Sequence, residues 1–306
     1  MALHSILNAT EPRRTRASKL NKCTHTHKST SDRIRVSTKR RTQPKVVQAA
    51  APVKATKPIA LPRTLHRPEF QHVSRDALSA VLPQCDGVNA AFVRAHLENY
   101  GAHMWNVVSS TRFVLPTSTQ LPEEVPITVN NASASAPTHV MAIHGPPAAN
   151  GVRPVSLYPA HAVVLAAHCA RLPAFSPSQA EIVPEAVPAQ MTVPVRGVSL
   201  PSPPMFGTLL KYLYEKDATA LLATLLPVAL PNLAECEDFP RESLARMLAT
   251  TYSSQQLLSD HIHRVHGLWL DVCALGVHDM VLYATMDLAW ETLLEALAIS
   301  TGAGAQ

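Results

Sequence analysis

The sequence predicts an α+β protein that is mostly α-helical, with a small sheet and a flanking helical bundle. Sixteen of the 26 prolines lie between residues 116 and 204, which excludes long helices from most of that region. The residues on either side of it carry apolar side chains at helical spacing. The first 68 residues contain no aromatic side chain, so they cannot build a core of their own.

The two parts of the chain also differ in charge. Residues 1–68 hold 16 Lys and Arg against 2 Asp and Glu, whereas residues 69–306 hold 11 against 20. A segment of high net charge without aromatic residues does not bury enough surface to offset its chain entropy. We therefore expect a disordered basic arm over 1–68, a single α+β domain over 69–301 and a frayed tail over 302–306.

Two basic clusters stand out in the arm, and they consist of Arg13, Arg14 and Arg16, then Lys39, Arg40 and Arg41. Such clusters bind the acidic grooves of import receptors or nucleic-acid phosphates. They predict a nuclear location, with the cytoplasm as the alternative. Contact with nucleic acid through the arm remains open, and so does a solvated tail without a partner.

Composition argues against several classes of protein. No apolar run approaches the roughly 20 residues that a membrane-spanning helix needs, so we expect no membrane contact. Met1 to Thr10 lacks the pattern of a secretory signal. Five cysteines are too few, and odd in number, for a disulfide framework in 306 residues. Free thiols in the cytosol or nucleus are the simpler expectation.

The domain is predicted to open with two helices. Ser74 is a suitable N-cap for a short helix that ends before Pro83. A longer helix is expected from Asn89 to about Val108, with one inner face formed by Phe92, Val93, His96, Leu97, Tyr100 and Met104. Whether residues 69–115 pack on the rest of the domain is not decided by this pattern.

The proline-rich region is predicted to hold three strands and one helix. Two apolar runs predict strands at His139 to His144 and Val152 to Leu157, and Asn150-Gly151 indicates a hairpin between them. A third strand is expected from Thr192 to Leu200. The helix is expected from about Ala160 to Leu172.

From residue 203 onward the pattern is helical. The predicted starts are marked by Pro203, Asp217, Pro240, Ser253 or Ser254, and Asp279. The last two helices, separated by Gly276, have the clearest apolar stripes: Leu258, Ile262, Val265 and Trp269, then Leu282, Met286, Trp290, Leu293 and Leu297.

Histidines and cysteines were weighed as sources of chemistry. His161 and His168 share a face beside Cys169, but no orienting group or oxyanion site can be named, so a core-edge histidine is expected at His161. A second set of histidines consists of His261, His263 and His266. Their spacings differ from the i, i+4 pair that binds zinc on a helix, so half-exposed side chains in the helical bundle are expected there. The sequence therefore predicts no catalytic residue, no metal and no cofactor, and a Cys-His hydrolase ranks last.

Two segments carry a resemblance to a known core. From Val155 to Cys169 a strand runs into a helix with a His and a Leu-Ala-Ala run, and from Val198 to Tyr214 a strand precedes a helix with Phe, a Leu pair and two Tyr. Over about residues 138–270 this resembles a BTB/POZ domain, although Cys169 replaces a Ser of that pattern. The resemblance implies a buried core signature at His161, Leu165, Phe206, Tyr212 and Tyr214.

A second resemblance extends over about residues 70–303. The stretches that carry it are Tyr100 to Trp105, Leu157 to Cys169, Pro201 to Tyr214, Gly267 to Val277 and Met286 to Glu291. They are similar to the clampless-type proteins of mushroom-forming and smut fungi. This resemblance implies a non-enzymatic nuclear regulator of sexual development, acting in clamp-cell formation and dikaryotic growth. Its implied partners are proteins, with transcriptional regulators expected, and a homodimer remains open.

Overall fold

A computed structural model describes the chain over residues 61–83, 87–113, 120–147, 151, 153–175, 182–227, 241–252 and 254–302. These residues form eight helices and five strands, which confirms the predicted α+β class. None of the described helices has the length and apolarity that crossing a membrane requires. The two basic clusters, the arm up to residue 60 and the tail from residue 303 lie outside the described residues, as do Pro240 and Ser253.

The helices are α1 Arg75–Val81, α2 Ala90–Ser110, α3 Ala162–His168, α4 Phe206–Glu215, α5 Ala218–Leu225, α6 Arg241–Thr251, α7 Gln255–Leu275 and α8 Met280–Thr301. A short 3-10 turn, Pro203–Met205, leads into α4. Several predicted caps are confirmed, because side-chain oxygens of Ser74, Asp217, Ser254 and Asp279 accept main-chain N–H groups at the starts of α1, α5, α7 and α8. Gly276 ends α7 in the left-handed conformation, with φ of 66°.

The strands are β1 Arg112–Phe113, β2 Glu124–Val129, β3 His139–His144, β4 Val155–Ala160 and β5 Ala189–Ser199. They form one sheet in the order β1-β2-β5-β3-β4. The central strand β5 changes its partner halfway along. Residues 189–194 pair with β2 in the antiparallel sense, and residues 195–199 pair with β3 in the parallel sense.

The structure corrects the bounds of two predicted elements in this region and adds strand β2. The strand expected at Val152 to Leu157 is β4, and it runs from Val155 to Ala160. The helix expected to reach Leu172 ends at His168. Strand β2 was not predicted, because Pro126 interrupts its alternating pattern. Among the described residues, β1 pairs with residues 127–128 only and makes no ladder bond to Pro126, which cannot donate one.

Helix α2 packs directly on the domain, and its predicted inner face is confirmed in part. Val93, Leu97 and Met104 are buried as predicted, whereas Phe92 and Tyr100 are 69% and 53% exposed and His96 is exposed as well, so the prediction was wrong at these three positions. The buried side is formed by Val93, Leu97, Gly101, Met104, Val107 and Val108. Gly101 is essential to this contact, because a Cβ there would stand 1.9 Å from the Tyr214 carbonyl oxygen of α4.

Two cores lie on the sheet. The larger contains the inner faces of the helices together with Met141 and Ile143 of β3. The smaller lies around β2 and is formed by Val107, Val125, Ile127, Val129, Ala136, Val140 and Val193. Because β3 and α2 contribute to both cores, the two are joined through these elements.

Residues 61–67, which we call the strap, belong to the folded domain, although the charge count places them in the arm. The indole N–H groups of Trp290 and Trp269 donate to the carbonyl oxygens of Pro62 and His66, at 3.2 and 2.8 Å. Leu65 is 6% exposed between these two anchor points. The domain therefore begins before residue 69. The two tryptophans explain why, since the wholly buried Trp290 and the half-buried Trp269 each have an indole N–H whose acceptor is a strap carbonyl.

Candidate functional site

The five residues of the predicted core signature are all buried at the junction of α3 and α4. His161, Leu165, Phe206, Tyr212 and Tyr214 are each between 0% and 3% exposed. The structure also gives each of the two signature segments as a strand followed by a helix, β4 with α3 and β5 with α4. Burial of this degree assigns these side chains to packing and leaves none of them at the surface.

His161 lies at the centre of a closed hydrogen-bond network. Its ring Nε2–H donates to the Ser135 carbonyl oxygen at 2.9 Å, which leaves Nδ1 to accept from the Tyr214 hydroxyl at 2.9 Å. The same Tyr214 oxygen accepts the main-chain N–H of His161 at 2.8 Å. The expected position at the edge of the core was wrong, because His161 is wholly buried.

The start of α3 depends on this network. His161 stands at the N-cap, but its side chain makes no capping bond to the helix. Instead, the Thr138 hydroxyl oxygen accepts the Ala162 N–H at 2.8 Å, and Tyr214 accepts that of His161. Side chains from distant parts of the chain thus replace the local cap, since the first N–H groups of a helix have no partner within it.

Burial controls the protonation of the α3 residues. It lowers the pKa of His161 to about 4, against a smaller opposing effect of the bond to Ser135. It raises the pKa of the Cys169 thiol to about 12. At neutral pH the thiol is protonated, and both ring nitrogens of His161 are engaged elsewhere. The arrangement has no thiolate and no free base at His161, which a Cys-His nucleophile would need.

The three histidines of α7 differ in burial and in hydrogen-bond partners. His261 is buried and its Nδ1–H donates to the Leu225 carbonyl oxygen at 2.7 Å, so the prediction of a half-exposed side chain was wrong for this residue. His263 is exposed and donates to Ser259 of its own helix. His266 is partly buried and stacks near Trp269, with ring centroids 5.4 Å apart. Across the described residues, no three His, Cys, Asp or Glu side chains come together as metal ligands would.

A partly buried ionic group joins the end of α4 to the start of α8, and only its helix cap, Asp279, was predicted. The Lys216 ammonium donates to Asp279 Oδ2 at 2.9 Å, and the Tyr212 hydroxyl donates to Oδ1 at 3.3 Å. Burial raises the pKa of Tyr212 beyond its usual range, and the adjacent Asp279 carboxylate raises it further. The carboxylate also caps α8, so one side chain orients two helices.

Asp271 is a wholly buried carboxyl group near the C-terminal end of α7. Its Oδ1 accepts the Ser202 main-chain N–H at 2.8 Å, which holds the turn before α4 against α7. Its Oδ2 has no partner among the described residues. Burial raises the pKa of this carboxyl group to about 7, and the bond from Ser202 opposes that rise.

The strap is fixed by one further contact beyond the two indoles. The Arg67 guanidinium donates to Asp287 Oδ2 at 2.6 Å and lies 5.7 Å from the centroid of the Tyr283 ring. Trp290 is wholly buried, in agreement with its expected place in the core. Trp269 and Trp290 therefore combine packing with recognition of the strap backbone. The position of these donors relative to the strap, more than 200 residues away, could not be predicted from spacing.

Comparison with known proteins places these features in a family. The family model described as the clampless protein 1 N-terminal domain matches residues 68–201, and the one described as the clampless protein 1 C-terminal domain matches residues 219–306. The first covers α1 to β5 and the second covers most of α5 and all of α6 to α8. No curated protein and no solved structure matches the chain.

Proposed function

The chain belongs to the clampless protein 1 family, and from this membership we propose that it is a non-enzymatic regulator of fungal sexual development. The family's domains suggest a role in clamp formation. We propose that this chain performs it in the nucleus, through contacts with other proteins, transcriptional regulators among them. The observation that carries the proposal is the pair of consecutive family matches, which together span almost the whole folded domain.

The chemistry of the α3 residues supports a role without catalysis. The thiol of Cys169 is buried and protonated, and His161 is engaged by Tyr214 and Ser135. A Cys-His hydrolase needs a thiolate, a free base and a site for the oxyanion. The described residues around Cys169 supply no such set.

Complementation tests the non-enzymatic role. A strain that lacks its own copy of this protein should form clamps again when it receives the wild-type chain. We expect Cys169→Ser to restore clamps equally well, because it removes the nucleophile and nearly conserves the side-chain size. Folding is checked by the melting temperature of the purified variant. A folded Cys169→Ser chain that fails to restore clamps would support the hydrolase alternative.

The nuclear location is tested by neutralising the two basic clusters in the full chain. Replacement of Arg13, Arg14, Arg16, Lys39, Arg40 and Arg41 by Gln should abolish nuclear accumulation of a fluorescent fusion, because import receptors bind such clusters by charge. The matched control exchanges Lys and Arg at the same six positions and conserves the charge. Unchanged nuclear fluorescence of the Gln variant would remove the arm from the proposal.

Direct DNA binding through the arm is the alternative, and its motivation is the excess of 14 positive charges in residues 1–68. Contacts to phosphates weaken steeply as salt rises, since counterions are released on binding. The measurement is the electrophoretic mobility of duplex DNA. Direct DNA binding is favoured if the chain retards the duplex at low salt, if this effect disappears at high salt and in the Gln variant, and if the Lys/Arg exchange retains it. No shift at low salt would leave nuclear import as the role of the arm.

The protein-contact step is tested in the same hyphae. Tagged full-length chain should co-purify with the same set of nuclear proteins in the wild type and in Cys169→Ser. The tagged Gln variant, kept out of the nucleus, should lose that set. Recovery of an identical set from the cytoplasmic Gln variant would place the contacts outside the nucleus and contradict this part of the proposal.

A further inference from the structure

A cavity of about 510 Å³ lies where the first turn of α2 meets the end of α3 and the turn before α8. Its volume falls within the range of small-molecule sites in proteins, roughly 300–1,000 Å³. The described lining is formed by Phe70, Gln71, His72, Val73, Arg75, Leu78, Gly87, Asn89, Ala90, Arg94, His168, Gly276 and His278. None of the functions considered above uses this cavity.

The described lining of the cavity is cationic, although acidic residues predominate in the domain around it. Arg75 and Arg94 contribute two guanidinium groups, and no Asp or Glu occurs among the described lining residues. By contrast, acidic residues outnumber basic ones by 20 to 11 over residues 69–306. The first residue of the 21-residue helix α2, Ala90, also lines the cavity, and the unpaired N–H groups at a helix start favour anions.

A buried, unpartnered nitrogen adds the independent evidence of a ligand site. His168 is 4% exposed, and its Nδ1–H donates to the Val164 carbonyl oxygen of its own helix at 2.8 Å. Nε2, on the other side of the ring, has no hydrogen-bond partner among the described residues. A buried polar atom of this kind needs a partner, because leaving it unsatisfied costs free energy of folding.

The charges around His168 fix the role of this nitrogen. Burial, the Lys216 ammonium and the Arg94 guanidinium lower the pKa of His168 to about 3, while the hydrogen bond to Val164 and the Asp279 carboxylate act in the opposite direction. His72, Arg75 and His278 line the same cavity. The imidazole is therefore neutral at physiological pH, and Nε2 carries a lone pair that can accept a hydrogen bond but has no proton to donate.

We propose that this cavity binds a phosphate group, with Arg75, Arg94 and the start of α2 facing its negative charge and His168 Nε2 accepting its remaining proton. A phosphate or a phosphate monoester carries such a proton on a fraction of molecules near neutral pH, because its second pKa is about 6 or somewhat above. Sulfate has the same shape and charge without the proton. The acceptor therefore selects phosphate over sulfate, whereas the arginines alone would bind both.

The mouth of the cavity suits a phosphate that is carried on a larger molecule. The ring of Phe70 lies 4.6 Å from those of His72 and of His278, with edge-to-face geometry at both. Phe70 itself is 51% exposed, so this aromatic group is open to solvent. Free phosphate and a small phosphate monoester share the chemistry of the site, and the experiment separates them.

The test is calorimetric titration of the full-length chain at constant ionic strength and pH 7. Inorganic phosphate, sulfate and adenosine monophosphate are the three probes. We expect phosphate to bind at least about tenfold more tightly than sulfate, the effect of one hydrogen bond to a charged group. Tighter binding of adenosine monophosphate than of inorganic phosphate would identify a monoester as the ligand, and the reverse would identify free phosphate.

Three variants assign the effect to the cavity. Arg75→Gln, at an exposed position, should weaken phosphate and sulfate binding together by about tenfold. His168→Leu should reduce the preference for phosphate over sulfate to nearly one. The matched control is Arg153→Gln, the same charge change on an exposed residue that does not line the cavity. The basic arm is present in every protein, so its anion binding cancels in the comparison.

Several outcomes would overturn the proposal. The first is equal affinity for phosphate and sulfate in the wild type, because it would show that Nε2 selects nothing. The second is an equal loss in Arg75→Gln and Arg153→Gln, which would place the binding outside the cavity. The third is absence of binding heat and of any rise in melting temperature with millimolar phosphate, which would leave a cavity filled by water alone.

Discussion

A buried histidine lies at each end of α3, and the two differ in how many ring nitrogens have a hydrogen-bond partner. At the first end, His161 uses both ring nitrogens within the protein, one with Ser135 and one with Tyr214. At the other end, His168 lines a cavity, and among the described residues only its Nδ1 has a hydrogen-bond partner. Burial lowers the pKa of both, to about 4 and about 3. Burial and pKa therefore do not separate a packing residue from a binding residue, whereas the count of satisfied atoms does.

The largest effect is expected where α2 approaches the His161 end. Gly101→Ala would place a Cβ 1.9 Å from the Tyr214 carbonyl oxygen, and main-chain atoms cannot move aside cheaply. We expect a loss of about 3 kcal/mol or more in the free energy of unfolding, measured by urea denaturation. Gly197→Ala is the control, since its nearest neighbour would be 3.8 Å away. A similar loss in both variants would contradict the close packing of α2 on α4.

Removal of the Tyr214 hydroxyl tests the hydrogen-bond network around His161. Tyr214→Phe leaves both the main-chain N–H and Nδ1 of His161 without their partner. We expect the free energy of unfolding to fall by about 2–3 kcal/mol, because buried groups lose their hydrogen bonds. In Tyr158→Phe the loss should stay below about 0.5 kcal/mol, as no described residue bonds that hydroxyl. Equal losses in Tyr214→Phe and Tyr158→Phe would show that the hydrogen bonds to His161 contribute no stability, and His161 would then not differ from His168.

Acid should destabilise the domain through both histidines. Each has a folded-state pKa far below the unfolded value of about 6.5, so the unfolded chain binds protons first as pH falls. The stability they contribute is fully present above pH 6.5 and is lost as pH falls from there towards 4. His168→Leu should lessen the loss between pH 7.5 and 5 by about 2 kcal/mol in thermal unfolding. An unchanged pH profile would show that His168 is not buried as a neutral group.

Asp271 has the opposite effect on the pH dependence of stability, over the same acidic range. Its folded-state pKa of about 7 lies above the usual value, so its contribution is present at low pH and is lost as pH rises towards 7. Asp271→Asn keeps an oxygen for Ser202 and cannot ionise. This variant should therefore show a steeper loss of stability in acid than the wild type. A shallower loss would mean that Asp271 is ionised throughout.

The smallest effect is expected for His168→Leu at pH 7.5. The variant loses the bond to Val164 but also removes an unsatisfied buried nitrogen, and it gains apolar surface in its place. We expect the free energy of unfolding to change by less than about 1 kcal/mol in either direction. A loss as large as that of Tyr214→Phe would show that Nε2 is already satisfied, and the two ends of α3 would then be alike.

The features that the sequence predicted well are those with local signals. Ser254, Gly276 and Asp279 mark the bounds of α7 and α8 through capping, which depends on neighbouring residues only. Of the predicted stripe of α8, Leu282, Met286, Trp290 and Leu293 are wholly buried and Leu297 is partly buried against the same core. Helices whose signals are local and strongly periodic need no knowledge of the rest of the fold.

The errors arise where a distant partner decides the outcome. The inner face of α2 was misassigned at Phe92, His96 and Tyr100, because the closest contact of α2 is made at Gly101, whose lack of a side chain carries no hydrophobic signal. Strand β2 was missed because Pro126 interrupts its alternating pattern, and its pairing with residues 189–194 of β5 lies at least 60 positions further along the chain. The partner of His161 lies 53 residues away on α4, and Trp269 meets the strap 203 residues away. No spacing rule within one helix can reveal such pairs.

The change of partner along β5 has a consequence for the order in which the domain folds. The β3–β4 hairpin and the α7–α8 pair join residues close in sequence, so their loops close at little entropic cost. Strand β5 pairs with residues about 55 positions earlier in β3 and up to 70 positions earlier in β2. Contacts of that separation form slowly. We expect β5 to be the last strand to enter the sheet, so that both halves of the sheet become protected from hydrogen exchange in the same step.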